Sequence, residues 1–139
     1  MKIESKVADI MRPTEEIFDF LTDFTHFSLL LPDKIENWKA TKERCSFTIK
    51  GLTDFGMRIT DTNPHNTITI SNDEDIAMPI QFTFTWNFKP QASSCHIQIC
   101  FELDANPMMA MVIKKPLANF VDILVDKLKE EMEKPNSGQ

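Results

Sequence analysis

The chain has 139 residues, room for one domain with one sizeable core and little room for two. Its formal net charge of −6, with basic residues scattered along the chain, argues against a nucleic-acid partner. No apolar run approaches the ~18 residues needed to cross a bilayer, and Met1–Lys6 lacks a signal-peptide core, so the cytoplasm is the expected compartment.

Eleven Phe, two Trp and eight Met stand beside no Tyr at all. Phe and Met carry no hydroxyl that needs a partner, which suits a dry, adaptable interior. Cys45, Cys95 and Cys100 form an odd set without CxxC spacing, so they are expected as small buried or half-buried residues rather than as disulfides or zinc ligands.

Residues Lys2 to Met11 read as one strand, ended by Arg12-Pro13. Thr14 is placed to cap a helix whose first turn holds Glu15 and Glu16, and Ile17, Phe20, Leu21 and Phe24 recur along one of its sides. A short second helix restarts at Asp23 or Thr25, and Pro32 stops it. The period then changes from 3.6 to 2. A strand around Trp38 spans Lys34 to Lys42. Cys45, Phe47 and Ile49 define the next strand, Phe55, Met57 and Ile59 a third, and Ile68 and Ile70 a shorter fourth. Ile80, Phe82, Phe84, Trp86 and Phe88 then alternate with polar residues, as do Cys95, Ile97, Ile99, Phe101 and Leu103. This is the pattern of an antiparallel meander with one dry face.

Asn106-Pro107 opens the last helix, whose stripe is Leu117, Phe120, Val121, Leu124, Leu128 and Met132. Pro116 predicts a kink or break between Pro107–Lys115 and Leu117–Glu133. Residues 1–134 are expected to form one domain, with 135–139 a frayed tail. Helices at both ends of one antiparallel sheet make the fold class α+β. A curved sheet of six to seven strands should wrap around the long C-terminal helix, leaving a pocket where its concavity is not filled.

The segment Arg12-Pro13-Thr14-Glu15-Glu16-Ile17-Phe18-Asp19-Phe20-Leu21-Thr22-Asp23 resembles the strand-to-helix signature of the START-like (SRPBCC, helix-grip) superfamily, and Leu31-Pro32-Asp33 resembles its exit from the second helix. The superfamily includes polyketide cyclases, aromatase/cyclases and lipid-transfer proteins. Cys45-Ser46-Phe47-Thr48-Ile49, Gly56-Met57-Arg58-Ile59, Asn106-Pro107 and Lys115-Pro116-Leu117 are similar to a subgroup of small bacterial members. The resemblance spans the chain. It implies a seven-stranded sheet gripping the C-terminal helix around a hydrophobic cavity, and it implies no particular activity.

The chain carries no HExxH, GxSxG, phosphate-binding glycine loop or EF-hand loop. His26, His65 and His96 fall in separate places without a second ligand at helical or strand spacing, and Asp73-Glu74-Asp75 reads as a solvated turn rather than a calcium loop. No catalytic residue, metal or cofactor is therefore expected. What remains is the apolar face. Trp38, Phe47, Phe55 and Met57 come from the first strands, Phe82, Phe84, Trp86 and Ile97 from the last two, and Met108, Met111 and Val112 from the start of the final helix. Each is read first as core, and together as candidate ligand-binding residues. Glu36 is the one candidate for an internal acid, if it shares the inward side of Trp38. The expected partner is a small lipid-, isoprenoid- or polyketide-like molecule, held without catalysis by a monomer or homodimer. A cyclase- or hydratase-like enzyme and a protein-interaction domain with a filled core are the alternatives.

Overall fold

Alternation of apolar and polar residues fixes one antiparallel sheet, because a one-residue slip would turn every aromatic into water. The computed structural model describes residues 1–51, 53–76 and 81–134. Its strands are β1 (Lys2–Glu4), β2 (Ala8–Ile10), β3 (Ile35–Ala40), β4 (Arg44–Ile49), β5 (Thr53–Asn63), β6 (Thr67–Asn72), β7 (Gln81–Pro90) and β8 (Cys95–Asp104). All eight belong to one sheet in the order β1-β8-β7-β6-β5-β4-β3, with β2 also paired to β8. In register, Phe82 faces Leu103, Phe84 faces Phe101, Trp86 faces Ile99 and Phe88 faces Ile97. All eight of these side chains are buried, while Thr83 stays exposed and Thr85 half-buried. Ile80, expected at the head of this face, and the expected tail 135–139 lie outside the described residues.

Two expectations about the first ten residues and Thr14 are corrected. The strand expected from Lys2 to Met11 is two strands, which raises the count from six or seven to eight. Glu4 pairs with Cys100 and Ala8 with Ile97, so the entering chain carries one residue more than β8 does across the gap. Ser5 occupies that bulge. Its backbone N–H donates to the Ile99 carbonyl at 2.9 Å, and its hydroxyl accepts the Ile99 N–H at 2.9 Å. A buried serine thus keeps the ladder satisfied where the backbone falls out of step. Thr14 is the first residue of helix α1 (Thr14–Leu21) rather than its cap; Pro13 takes the cap position without a side-chain hydrogen bond. Glu15 and Glu16 do sit in the first turn.

A 3₁₀ helix follows at Phe24–Leu29, with the Asp23 carboxylate accepting the Thr25 N–H at 2.9 Å. Phe24 and Phe27 pack edge to face, and Phe27 does the same against Trp86, which seats this turn on one end of the sheet.

The last helix, α2 (Pro107–Glu133), is capped by Asn106, whose side chain accepts the Met109 N–H at 2.8 Å. Of the expected kink or break at Pro116, the break does not occur: one helix runs through it. Proline removes the bond that would reach the Val112 carbonyl. Both Val112 and Pro116 lie on the exposed side, where water can take that acceptor and the helix continues. Ile113, Leu117, Phe120, Val121, Leu124, Val125 and Leu128 are buried against the sheet.

Polar contacts lash the second half of α2 to the β1/β2 edge. The Lys6 N–H donates to Asp122 at 2.8 Å, Lys6 pairs with Asp126 at 2.7 Å, and Lys129 donates to the Asp9 carbonyl at 2.6 Å. Arg12 donates to the Met132 carbonyl at 2.7 Å. The opposite edge reaches the helix through rings: Phe120 stacks on Phe47 of β4. The sheet therefore curls until both edges meet one helix.

Candidate functional site

The two seams between sheet and helix are not alike. Along the β1/β2 edge, hydrogen bonds and ion pairs close the join. Along the β3/β4 edge, a cleft of about 630 Å³ remains open. Its apolar wall is built by Pro32, Ile35 and Ile49 on the sheet side and by Pro116, Phe120 and Ile123 on α2. Local structure explains the pairing. Ile35 lies directly opposite Ile49 in the β3–β4 ladder, and Phe120 and Ile123 lie three apart on one helix side. Lys34, Lys50, Lys127, Asp33 and Asp122 stand among the polar lining residues. A volume in this range and a mainly apolar wall suit a small-molecule site. A larger recess of about 720 Å³ lies on the outer face of the sheet, among Lys2, Arg58, Thr60, Ser71, Glu74 and Glu102. Its charged lining makes it a poor host for an apolar molecule.

Behind the cleft the interior is aromatic. Phe120 stacks on Phe47, Phe47 on Phe55, and Phe82 on Phe101, with edge-to-face contacts from Phe55 to Phe82, Phe101 to Phe84 and Phe84 to Trp86. Centroid distances along this series run from 5.0 to 5.9 Å, the spacing at which such pairs attract. At its far end the Trp86 ring is fully buried, and its indole Nε1–H has no hydrogen-bond partner among the described residues. A buried donor left unmade costs about 1–3 kcal/mol.

The expected site residues divide into two groups. Phe47, Phe55, Met57, Phe82, Phe84, Trp86 and Ile97 are buried together in the core, and Trp38 is half-buried against Phe47. None of these eight lines the open cleft. Met108, Met111 and Val112 do not turn inward: they are 78%, 83% and 61% exposed. Ile113 and Leu117 take the inward direction, and at 100° per residue that puts positions 108, 111 and 112 on the opposite side of the helix. Glu36 is also exposed. A register shift between Glu36 and Lys39, with Asn37 at a φ of 58°, breaks the alternation, so Glu36 does not share an inward side with Trp38 and is no internal acid.

Pro32, Ile35, Ile49, Pro116, Phe120 and Ile123 as a set were not anticipated. The Ile35–Ile49 pairing is foreshadowed by the hairpin register, but no local pattern brings residues 32–35 to residues 116–127.

The three histidines and Asp73 already have structural partners. His26 Nδ1 lies 2.8 Å from the Phe20 carbonyl, and its ring stacks on Phe20. His96 stands 3.6 Å from Asp9, and His65 meets the edge of Phe18. Asp73 is buried rather than solvated. It accepts the Asp75 N–H at 3.1 Å and faces Arg44, which also pairs with Asp75 at 2.7 Å. Burial pushes the Cys45 thiol well above its ordinary range, with Asp73 adding to the effect, so it is an inert core residue. Among the described residues no group of His, Cys, Asp and Glu could hold a metal ion, and no helix is long and apolar enough to cross a membrane.

A sheet curled around one C-terminal helix, with short helices between its first strands, defines the helix-grip class. Within that class, the chain belongs to the polyketide cyclase / dehydrase and lipid transport family, which it matches over residues 2–133. No curated protein sequence matches it. Three solved structures place the fold. A START superfamily protein of Mycobacterium smegmatis is 14% identical, with a TM-score of 0.74 over 96% of this chain and 97% of that one. Norcoclaurine synthase of Thalictrum flavum is 13% identical, with a TM-score of 0.69 over 97% and 87%. The di-domain ARO/CYC BexL of the BE-7585A biosynthetic pathway is 15% identical, with a TM-score of 0.71; the match covers 97% of this chain and 48% of that one, about half its length. At these identities the likeness is one of fold. The seven-stranded sheet implied by the family resemblance has eight strands here, because Ser5 divides the first.

Proposed function

We propose that this protein binds a small hydrophobic molecule, without chemical conversion, at the open seam between α2 and the β3/β4 edge. The observation that carries the reading is the apolar cleft of about 630 Å³, bounded by Ile35, Ile49, Phe120 and Ile123. Phe120 is both the wall of that cleft and the first ring of the series that runs through Phe47, Phe55 and Phe82 towards Trp86. A ligand seated on Phe120 therefore has the sequence-predicted aromatic residues as its inner neighbours. An acceptor oxygen reaching Trp86 would satisfy a buried donor that has no partner among the described residues. Binding without chemistry fits the charged groups at the cleft. Asp122 already accepts the Lys6 N–H, and Asp33 and the lysines stand at its polar lining rather than within the aromatic interior.

Thermal melting against a panel of fatty acids, isoprenoids and aromatic polyketides tests this reading. A ligand present at a hundred times its dissociation constant stabilises the fold by about 2.7 kcal/mol, a shift of several degrees. Ile123→Lys, which puts an ammonium into the apolar wall, should abolish the shift. A panel without any shift, or a shift that survives Ile123→Lys, overturns the assignment of this cleft. Turnover of any compound that binds would replace the binding reading with the cyclase-like one.

One observation favours a second reading, that of a protein-interaction domain. Met108, Met111 and Val112 stand in solvent at spacings of three and four, an apolar stripe on the outer side of α2. If that stripe is covered by a protein partner, Met111→Lys should abolish the association and leave binding at the cleft intact.

A further inference from the structure

We infer that the ligand of this cleft is an amphipathic anion, whose tail lies on Phe120 and Ile123 and whose charged head is held by Lys34, Lys50 and Lys127. The inference rests on the hydrophobic-ligand reading above and adds the head group to it. Its basis is where unpaired cations fall in an acidic chain. The protein has a formal net charge of −6, yet three lysines line one apolar cleft. Elsewhere Lys6 pairs with Asp126, Lys129 with Glu133 and Lys134 with Glu131, whereas Lys2 of β1 forms no ion pair among the described residues. Among the described residues, Lys34, Lys50 and Lys127 form no ion pair and no side-chain hydrogen bond.

The two carboxylates at the same cleft do not neutralise them equally. Asp122 accepts the Lys6 backbone N–H at 2.8 Å, whereas Asp33 forms no ion pair among the described residues. The lining carries three lysines against these two carboxylates, so the local balance is cationic. Lysine stems can lie along the apolar wall while their ammonium groups stay in water. That geometry accepts a chain with one anionic end and penalises a chain whose polar end is neutral. Carboxylate and phosphate heads share this chemistry.

The test compares dodecanoate, dodecyl phosphate and dodecanol, each below the concentration at which it forms micelles, by isothermal titration of the full chain. Several partly exposed charge contacts should favour the better of the two anions over dodecanol by about tenfold. Which anion binds more tightly identifies the head. Raising the salt should narrow the ratio, and the double variant Lys50→Gln, Lys127→Gln should bring it towards one, with its melting temperature checked first. Dodecanol binding as tightly as both anions overturns the head-group inference and leaves the hydrophobic-ligand reading standing. A ratio unmoved by both salt and the double variant overturns it as well. Failure of all three probes to bind, together with an empty thermal panel, overturns the underlying reading itself.

Discussion

Phe120 of α2 stacks on Phe47 of β4, ring centroids 5.9 Å apart and planes 27° from parallel. This contact joins the far edge of the sheet to the helix, while hydrogen bonds and ion pairs from Lys6, Arg12 and Lys129 hold the near edge. Phe120 has the open cleft on one side, so Phe120→Ala should cost about 3 kcal/mol, the lower end for a buried aromatic. A double-mutant cycle of Phe47→Leu with Phe120→Leu should return a coupling of about 1 kcal/mol. Chemical denaturation measures both, and additive losses would show that the rings merely lie side by side.

Phe84 is fully buried, opposite Phe101 and in ring contact with Trp86. It has close-packed neighbours on the sheet, so Phe84→Ala should cost about 3–5 kcal/mol without any ligand present. A loss near 1 kcal/mol would place Phe84 beside a cavity instead.

Gly56 is required for space rather than for its backbone angle. A Cβ there would lie 2.5 Å from Ile76 Cδ1 and 2.8 Å from Ile76 Cβ. The Gly56 carbonyl also accepts the Asp73 N–H at 2.9 Å, which pins the turn that carries Ile76. Gly56→Ala should therefore destabilise the protein by about 1–3 kcal/mol, as overpacking does. Adding Ile76→Ala removes the Cδ1 contact but keeps the Cβ at 2.8 Å, so it should recover only part of that loss. Melting of the single and double variants decides it, and a double variant worse than the sum would point to backbone strain.

The strand faces could be read from the sequence because each sheet face has a period of two. Phe82, Phe84 and Trp86 on one strand and Ile97, Ile99 and Phe101 on the next leave one register that buries them all. The stripe from Leu117 to Leu128 was legible for the same reason at a period of 3.6. Features set by single residues against their neighbours were not. Ser5 inserts a bulge that no hydropathy pattern announces, and Asn37 breaks the alternation that linked Glu36 to Trp38. Pro116 reads locally as a helix breaker, yet its exposed position lets the helix continue. The cleft was hidden most deeply, because it joins residues 32–35 to residues 116–127 through the curl of the whole sheet. Met108, Met111 and Val112 of α2 show the limit of composition: methionine and valine at a helix start look alike whether they face a cavity or solvent.

Glu133 ties the end of α2 to the residues before α1. Its carboxylate accepts the Met11 N–H at 2.8 Å and pairs with Lys129 at 2.9 Å. The Met11 hydrogen bond first, and Lys129 second, hold its pKa below the ordinary glutamate value of 4.5. A lowered folded-state pKa contributes stability that is complete above the unfolded value and lost as pH falls through the folded one. Glu133→Gln should therefore melt below the parent at pH 7, by about 1 kcal/mol for a partly exposed charged acceptor. The gap should shrink only below about pH 4.5. Melting curves of both proteins from pH 3 to 7 check the sign, and a gap that widens on acidification would refute it.

Trp86 offers the sharpest contrast between packing and hydrogen bonding. Its ring is fully buried, between Ile68 and Ile99 on the neighbouring strands, with Phe27 and Phe84 against it. Its Nε1–H has no acceptor among the described residues. Trp86→Phe removes ring volume, which is destabilising, and also removes a donor whose desolvation is uncompensated, which is stabilising by about 1–3 kcal/mol. The two should nearly cancel, so the variant should melt close to the parent, in contrast to Phe84→Ala two residues away. A ligand whose oxygen reaches the indole would reverse this balance: the parent would gain more from it than the variant does. Melting curves of both proteins with and without a bound ligand separate the cases. Equal gains would show that the ligand stops short of Trp86, in the outer cleft at Phe120. A loss of about 3 kcal/mol or more in the ligand-free variant would show that packing dominates at this site and that the unpaired donor costs little.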